Sequence, residues 1–125
     1  MALHASGEDY LETILVLQKK LGMVRSVDIA RYMEVSKPSV SVAVNALKED
    51  GFLIMDRNHF LYLTETGKRV AEKIYERHQF FTEELIKAGV DPKQAETDAC
   101  KMEHVISEQS FKKLKEQKRK DELKR

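Results

Sequence analysis

The strongest constraint on this chain is a run of local signals from Gly7 to Leu63: three helix-forming segments, each with its own stop, then two short β-prone stretches. The first helix spans roughly Gly7 to Lys20, with Leu11, Ile14, Leu15 and Leu17 on its apolar side and Gly22 as its end. Ser26 is placed to cap a short second helix from Val27 to Met33, and Asp28 in its first turn favours the helix dipole. After Glu34 and Val35, Ser36 is placed to cap a third helix through Leu47, with Pro38 opening it and Gly51 stopping it. Phe52 to Met55 and His59 to Leu63 are β-prone, and Asp56, Arg57 and Asn58 between them supply turn chemistry, which predicts a hairpin. Helix, short helix, turn, helix, hairpin is the layout of a winged helix-turn-helix.

The third helix supports that layout. At about 100° per residue, Val40, Ala43, Val44 and Leu47 form one narrow apolar stripe. The opposite side shows Ser39, Val42, Asn45 and Ala46, small enough to enter a major groove. Lys37 and Lys48 flank it and Arg57 sits at the hairpin tip, all suited to phosphate contacts. Ser36, Ser39 and Ser41 near the helix N-terminus can hold a phosphate together with the backbone amides, and Asn45 can pair bidentately with adenine. Double-stranded DNA is therefore the expected partner. The net charge of +1 does not bear on this, because the distribution of charge and not its sum makes a DNA footprint.

Beyond the hairpin the chain reads as helical. Thr64 caps a long helix from about Glu65 to Ala88, which Gly89 closes, and Pro92 opens a further helix running from Asp91 to about Ser107. The expected fold is mainly α: a winged helix-turn-helix domain over 1–66, then an α-helical dimerisation and metal-binding domain over 67–125 that ends in a charged tail. Tyr75, Phe80, Phe81, Leu85 and Ile86 give the long helix more apolar surface than a lone helix needs, so a homodimer through the helices after the wing is expected. From Lys112 to Arg125, eight Lys or Arg stand against three Asp or Glu, which reads as a solvated, fraying helix end. The sharper reading of that tail is non-specific attraction to DNA phosphates.

Several polar groups carry the ligand types of a divalent transition metal. Asp9 and Glu12 share a face of the first helix, although acidic residues there also serve the dipole. His78 falls on the apolar stripe of the long helix with Val70, Ile74, Phe81 and Leu85, a place where core histidines also occur. Cys100, Glu103 and His104 stand at i, i+3 and i+4 on the fifth helix, with Glu96 one turn earlier on the same side. Thiolate, carboxylate and imidazole on one stripe favour a borderline transition metal, and the carboxylates extend the range to manganese and iron. If these groups are only packed, the chain is a metal-independent winged-helix regulator or a protein-binding module.

An enzyme using Cys100 and His104 is not expected, because no oxyanion-hole loop or glycine-rich turn adjoins them, and no small-molecule substrate is implied. One cysteine excludes an internal disulfide and fits a reducing cytoplasm. There is no evident signal peptide and no apolar run of membrane-spanning length, so a cytoplasmic protein without a membrane partner is expected.

Taken together, these residues resemble the metal-dependent repressors related to the diphtheria toxin repressor and the manganese transport regulator. The resemblance covers nearly all of residues 5–107. It is carried by Glu8-Asp9-Tyr10-Leu11-Glu12-Thr13-Ile14, Val27-Asp28-Ile29-Ala30, Pro38-Ser39-Val40-Ser41, Leu63-Thr64-Glu65-Thr66-Gly67 and Arg77-His78. Above all it is carried by Asp98-Ala99-Cys100-Lys101-Met102-Glu103-His104-Val105-Ile106-Ser107. It implies a repressor that binds operator DNA as a dimer when loaded with Mn2+ or Fe2+ and so controls metal homeostasis, with Co2+ or Zn2+ as further ions able to bind in vitro. It implies Asp9, Glu12, His78, Cys100, Glu103 and His104 as ligands. Manganese-type members resemble this chain at Asp9 and iron-type members at Cys100, so both metals stay open. Where the family places a carboxylate one turn after its histidine, Thr82 stands here, and Glu96 is the candidate for the missing oxygen. Longer members carry an SH3-like third domain, which a chain of 125 residues is too short to hold.

Overall fold

The structure, a computed structural model, describes residues 3–124; Met1 and Ala2, and Arg125 of the charged tail, lie outside the described residues. Its elements are α1 (Ala5–Leu21), α2 (Ser26–Met33), α3 (Lys37–Glu49), β1 (Leu53–Met55), β2 (Leu61–Leu63), α4 (Glu65–Lys87), α5 (Pro92–Met102) and α6 (Glu108–Leu123). The fold is mainly α with a small two-stranded wing. The chain divides into two compact units, Met1–Tyr75 and Glu76–Arg125. That division lies later than the 66/67 boundary expected from sequence. The physical reason is that Val70, Ala71 and Tyr75, from the first half of α4, pack into the core of the first unit.

That core is aliphatic. Tyr10, Leu11, Ile14, Leu15 and Leu17 of α1 recur at helical spacing and are all buried. They pack with Val24, Ile29, Val40, Val44, Leu47, Leu53 and Leu61. Each fully buried aliphatic side chain contributes on the order of 1.5–3 kcal/mol. Ser26 was expected to cap α2, but it is the first helical residue. Arg25 is the extended residue before it, and Asp28 reaches back to accept the Arg25 amide at 2.9 Å. Ser36 does cap α3, its hydroxyl accepting the Ser39 amide at 3.2 Å.

The hairpin pairs Leu53 with Leu63, Ile54 with Tyr62 and Met55 with Leu61. The period of two buries Leu53 and Leu61 and turns Ile54 and Tyr62 outward. The Leu61 amide also donates to the Val24 carbonyl at 2.8 Å, tying the wing to the segment between α1 and α2. At the tip, Asp56 accepts the amides of Asn58 and Phe60, at 2.9 and 3.0 Å, and the Tyr62 hydroxyl at 3.1 Å. The wing joins α4 through Thr64, whose hydroxyl accepts the Gly67 amide at 3.0 Å and donates to the Gly51 carbonyl at 2.7 Å. Position 67 must be glycine for a steric reason: a Cβ there would collide with the Phe52 carbonyl.

The second unit has a smaller centre. Phe81, Ala99 and Phe111 are buried, with Phe80, Met102 and Ile106 packed against them. Phe80 meets both Phe81 and Phe111 edge-on, each with ring centroids 5.3 Å apart. Two expectations are corrected here. The fifth helix does not continue to Ser107 but ends at Met102, because Arg77 takes up the carbonyls of Glu103 and Ile106 and Ser107 caps a new helix. The charged tail does not fray within the described residues but stays helical to Leu123. Phe111 anchors α6 in the aromatic cluster, and Lys115 and Lys118 bind Glu76 and Glu83 at 2.9 and 3.1 Å. Phe80 and Phe81 of the expected dimer face are thus engaged within the chain, while Ile86 is exposed. No helix of the described residues is long and apolar enough to cross a membrane.

Candidate metal centre and nucleic-acid interface

The second unit collects four of the expected ligands. His78 comes from α4, Cys100 from the last turn of α5, and Glu103 and His104 from the turn that follows. The helical stripe expected for the last three is therefore part helix and part turn. One ligand atom from each of Cys100, Glu103 and His104 lies within 4.8 Å of the others, and the same holds for His78 with Glu103.

Glu103 is the centre of this group. It is 0 % exposed, and neither of its carboxylate oxygens accepts a hydrogen bond. His78 Nδ1 stands 3.3 Å from one oxygen, and His104 Nε2 stands 3.6 Å from the other. A buried carboxylate without donors is costly, and neighbouring imidazoles balance its charge only when they are protonated. A divalent cation would satisfy both oxygens and take the imidazoles as neutral ligands. The residues fit such an ion: Cys100, Glu103 and His104 gather a thiol, a carboxylate and an imidazole, His78 adds an imidazole at the other Glu103 oxygen, and Cys100 is in no disulfide.

Asp9 and Glu12 are half-buried on α1, three residues apart on one face of the first unit. Glu96 is exposed on α5 and belongs to neither ligand group, so the structure does not bring it to the centre. Thr82, one turn after His78, has a buried hydroxyl oxygen with no hydrogen-bond partner. Sequence reasoning used Arg77 only within the Arg77-His78 run of the resemblance and gave it no role. Its only local signal was a charged residue beside a histidine, and its partners lie 26 and 29 residues away.

On the first unit, Ser36, Lys37, Ser39, Ser41, Val42, Asn45 and Lys48 are all exposed along α3, while Val40, Val44 and Leu47 face the core. Val42 is 72 % exposed, on the same outward face of α3 as Ser39 and Asn45. Arg57 is exposed in the turn of the wing. The Asp56 carboxylate beside it is held below its ordinary range, first by the hydrogen bond from the Phe60 amide. The Tyr62 hydroxyl is correspondingly pushed up by its bond to Asp56. The tip that presents Arg57 is thus organised by its own hydrogen bonds.

Two family profiles match the chain. The iron-dependent repressor N-terminal DNA binding domain matches residues 2–59, and the iron-dependent repressor metal binding and dimerisation domain matches residues 64–120. The chain is 36 % identical over 104 residues to the transcriptional regulator MntR of Escherichia coli O6:H1, covering 83 % of this chain and 67 % of that protein. It is 34 % identical over 102 residues to the HTH-type transcriptional regulator MntR of Bacillus velezensis, covering 82 % of this chain and 72 % of that protein. Among solved structures, the manganese regulator SloR superposes with a TM-score of 0.74 at 27 % identity, over 82 % of this chain and 48 % of that one. The chain therefore spans about half the length of that solved relative.

Proposed function

Because the chain belongs to the iron-dependent repressor family, we propose that it is a metal-responsive transcriptional repressor that binds operator DNA as a homodimer when loaded with Mn2+ or Fe2+. The observation that carries this reading is Glu103, fully buried, with no hydrogen bond to either oxygen and an imidazole beside each. His78, Cys100, Glu103 and His104 would hold the cation, with Asp9 and Glu12 of α1 as further carboxylate ligands on the strength of the family resemblance. A bound ion would supply the positive charge that the buried Glu103 carboxylate needs. The ligands bind it deprotonated, so affinity falls with acidity.

The same reading gives α3 to the major groove. Ser39, Ser41, Val42 and Asn45 face the bases, and Ser36, Lys37, Lys48 and, from the wing, Arg57 face the phosphates. The helices after the wing form the dimer, which sets the spacing of two such α3 helices on two half-sites. A protein of this kind works in the cytoplasm, on DNA, and has no membrane or small-molecule substrate to meet.

The test is DNA binding, followed by fluorescence anisotropy at fixed salt and under reducing conditions. The duplex is selected from a randomised pool in the presence of Mn2+. Mn2+ or Fe2+ should strengthen binding at least tenfold, His104→Ala should lose that response, and Lys48→Ala should weaken binding with the response intact. If no ion among Mn2+, Fe2+, Co2+ and Zn2+ changes the affinity of the unaltered chain, the reading fails.

A further inference from the structure

The turn that carries two of the proposed ligands is held by a residue that is not a ligand. Arg77 is only 6 % exposed. Its Nη1 donates to the Ile106 carbonyl at 2.8 Å and to the Glu103 carbonyl at 3.2 Å. Both acceptors lie where α5 has ended: Glu103 is its C-cap, and Ile106 directly precedes Ser107, which caps α6 by accepting the Ser110 amide at 3.1 Å. Carbonyls at a helix end lack helical partners, and a cation there also complements the helix dipole. The guanidinium is backed by the Phe111 ring, whose centroid lies 5.4 Å away. One side chain thus fixes the end of α5, the turn from Glu103 to Ile106, and the entry to α6.

We propose that Arg77 is the positioning residue of the metal centre, setting the Glu103–His104 turn so that both side chains meet the cation with Cys100 while Glu103 also faces His78. This rests on the functional reading above. The adjacent position strengthens it. Arg77 and His78 are consecutive on α4, so one stretch of backbone delivers a ligand and clamps the turn that brings two more. Arginine suits the task because it stays charged when buried and spreads several donors over a rigid plane, whereas methionine has no donor at all.

The experiment titrates the full chain, Arg77→Met and Arg77→Lys with Co2+, following the visible absorption of the bound ion, and with Mn2+ in competition. Loss of an outer partner of metal ligands typically weakens affinity about 10–100-fold. That loss is expected for Arg77→Met, with an altered Co2+ spectrum at saturation. Arg77→Lys should recover the parent spectrum and most of the affinity. If Arg77→Met binds within twofold of the parent and gives the parent's spectrum, the proposal is overturned. A merely structural arginine would do that while lowering only the melting temperature of the cation-free protein. Should Arg77→Met fail to fold by circular dichroism, nitrogen NMR of the unaltered chain decides. The Arg77 guanidinium resonances should shift when Zn2+ is added, and unmoved resonances overturn the proposal. A parent chain that binds no cation overturns the functional reading together with this one. A parent that binds while Arg77→Met binds equally well overturns this one alone.

Discussion

The two units are built on opposite principles. The first closes around an aliphatic cluster drawn from α1, α2, α3, the hairpin and the start of α4. The second has a cluster of three buried residues, two of them aromatic, and sets beside it a buried arginine and a buried glutamate. Apolar burial is non-directional and needs no bound ion, so the first unit holds its shape with or without a cation. Buried charge is stabilising only when its partners are in place, so the order of the second unit depends on what its polar groups meet. A reader that must keep its shape and a sensor that must respond need these different cores.

The largest expected effect tests the first half of that contrast. Leu11 is fully buried in the aliphatic cluster. Leu11→Ala should destabilise the cation-free protein by about 2–5 kcal/mol, because the cavity adds to the lost burial. Urea unfolding measures this. A loss below about 1 kcal/mol would mean that the cluster is loosely packed, and the contrast between the units would lapse.

The second effect is intermediate in size and tests the other half. Glu103→Gln removes the charge and keeps the shape. Without a cation it should stabilise the protein by about 1–3 kcal/mol, the cost of a buried polar group left unsatisfied. With Mn2+ the order should reverse: the parent gains about 2.7 kcal/mol at a hundredfold excess over its dissociation constant, and the variant gains little. Paired melts with and without Mn2+ read both signs at once. A variant less stable than the parent in both conditions would show that Glu103 is satisfied without an ion.

The same contrast governs what could be read from sequence. In the first unit the signals were local. Ser36 capped α3, Thr64 capped α4, the stripe at Val40, Val44 and Leu47 faced inward, and Asp56 organised the turn. The one cap misplaced there, Ser26, was off by a single residue, because Asp28 reaches back to Arg25. In the second unit the deciding interactions are long-range. Nothing between Pro92 and Ser107 reads as a helix stop, yet α5 ends at Met102 because carbonyls beyond it turn to Arg77, 26 and 29 residues away. Likewise α6 looked like a solvated tail because its anchor is one side chain, Phe111, among many charges. The ligand types at His78, Cys100, Glu103 and His104 were legible, while the helix-to-turn geometry that gathers them was not. Glu96, chosen for its helical angle and as a candidate for the oxygen missing at Thr82, stands exposed.

The smallest effect lies in the wing, where the first unit itself uses charge. Asp56 is exposed, and its carboxylate is held below the ordinary 3.8 chiefly by the Phe60 amide, then by the Asn58 amide and the Tyr62 hydroxyl. A carboxylate whose folded value is depressed contributes stability above its ordinary value, and that contribution is lost as pH falls through the folded value. Tyr62 runs the other way. Its value is raised above 10.0 because its hydroxyl donates to Asp56, so its part is present below 10 and lost as pH rises through the raised value. Between those limits both Asp56 and Tyr62 keep their charge states, and the difference between the parent and Asp56→Asn should change only through the weaker attraction of His59 to Asp56. Asp56→Asn should leave the aliphatic core and the cation response intact, speed hydrogen exchange at the Phe60 amide, and weaken DNA binding slightly through a looser Arg57. Following the Phe60 amide by NMR from pH 7 downwards checks the sign: the midpoint of its shift should lie below 3.8. A midpoint at or above that value would mean that the carboxylate is not held by these donors. The wing would then owe its shape to Leu53 and Leu61 in the core and not to its tip.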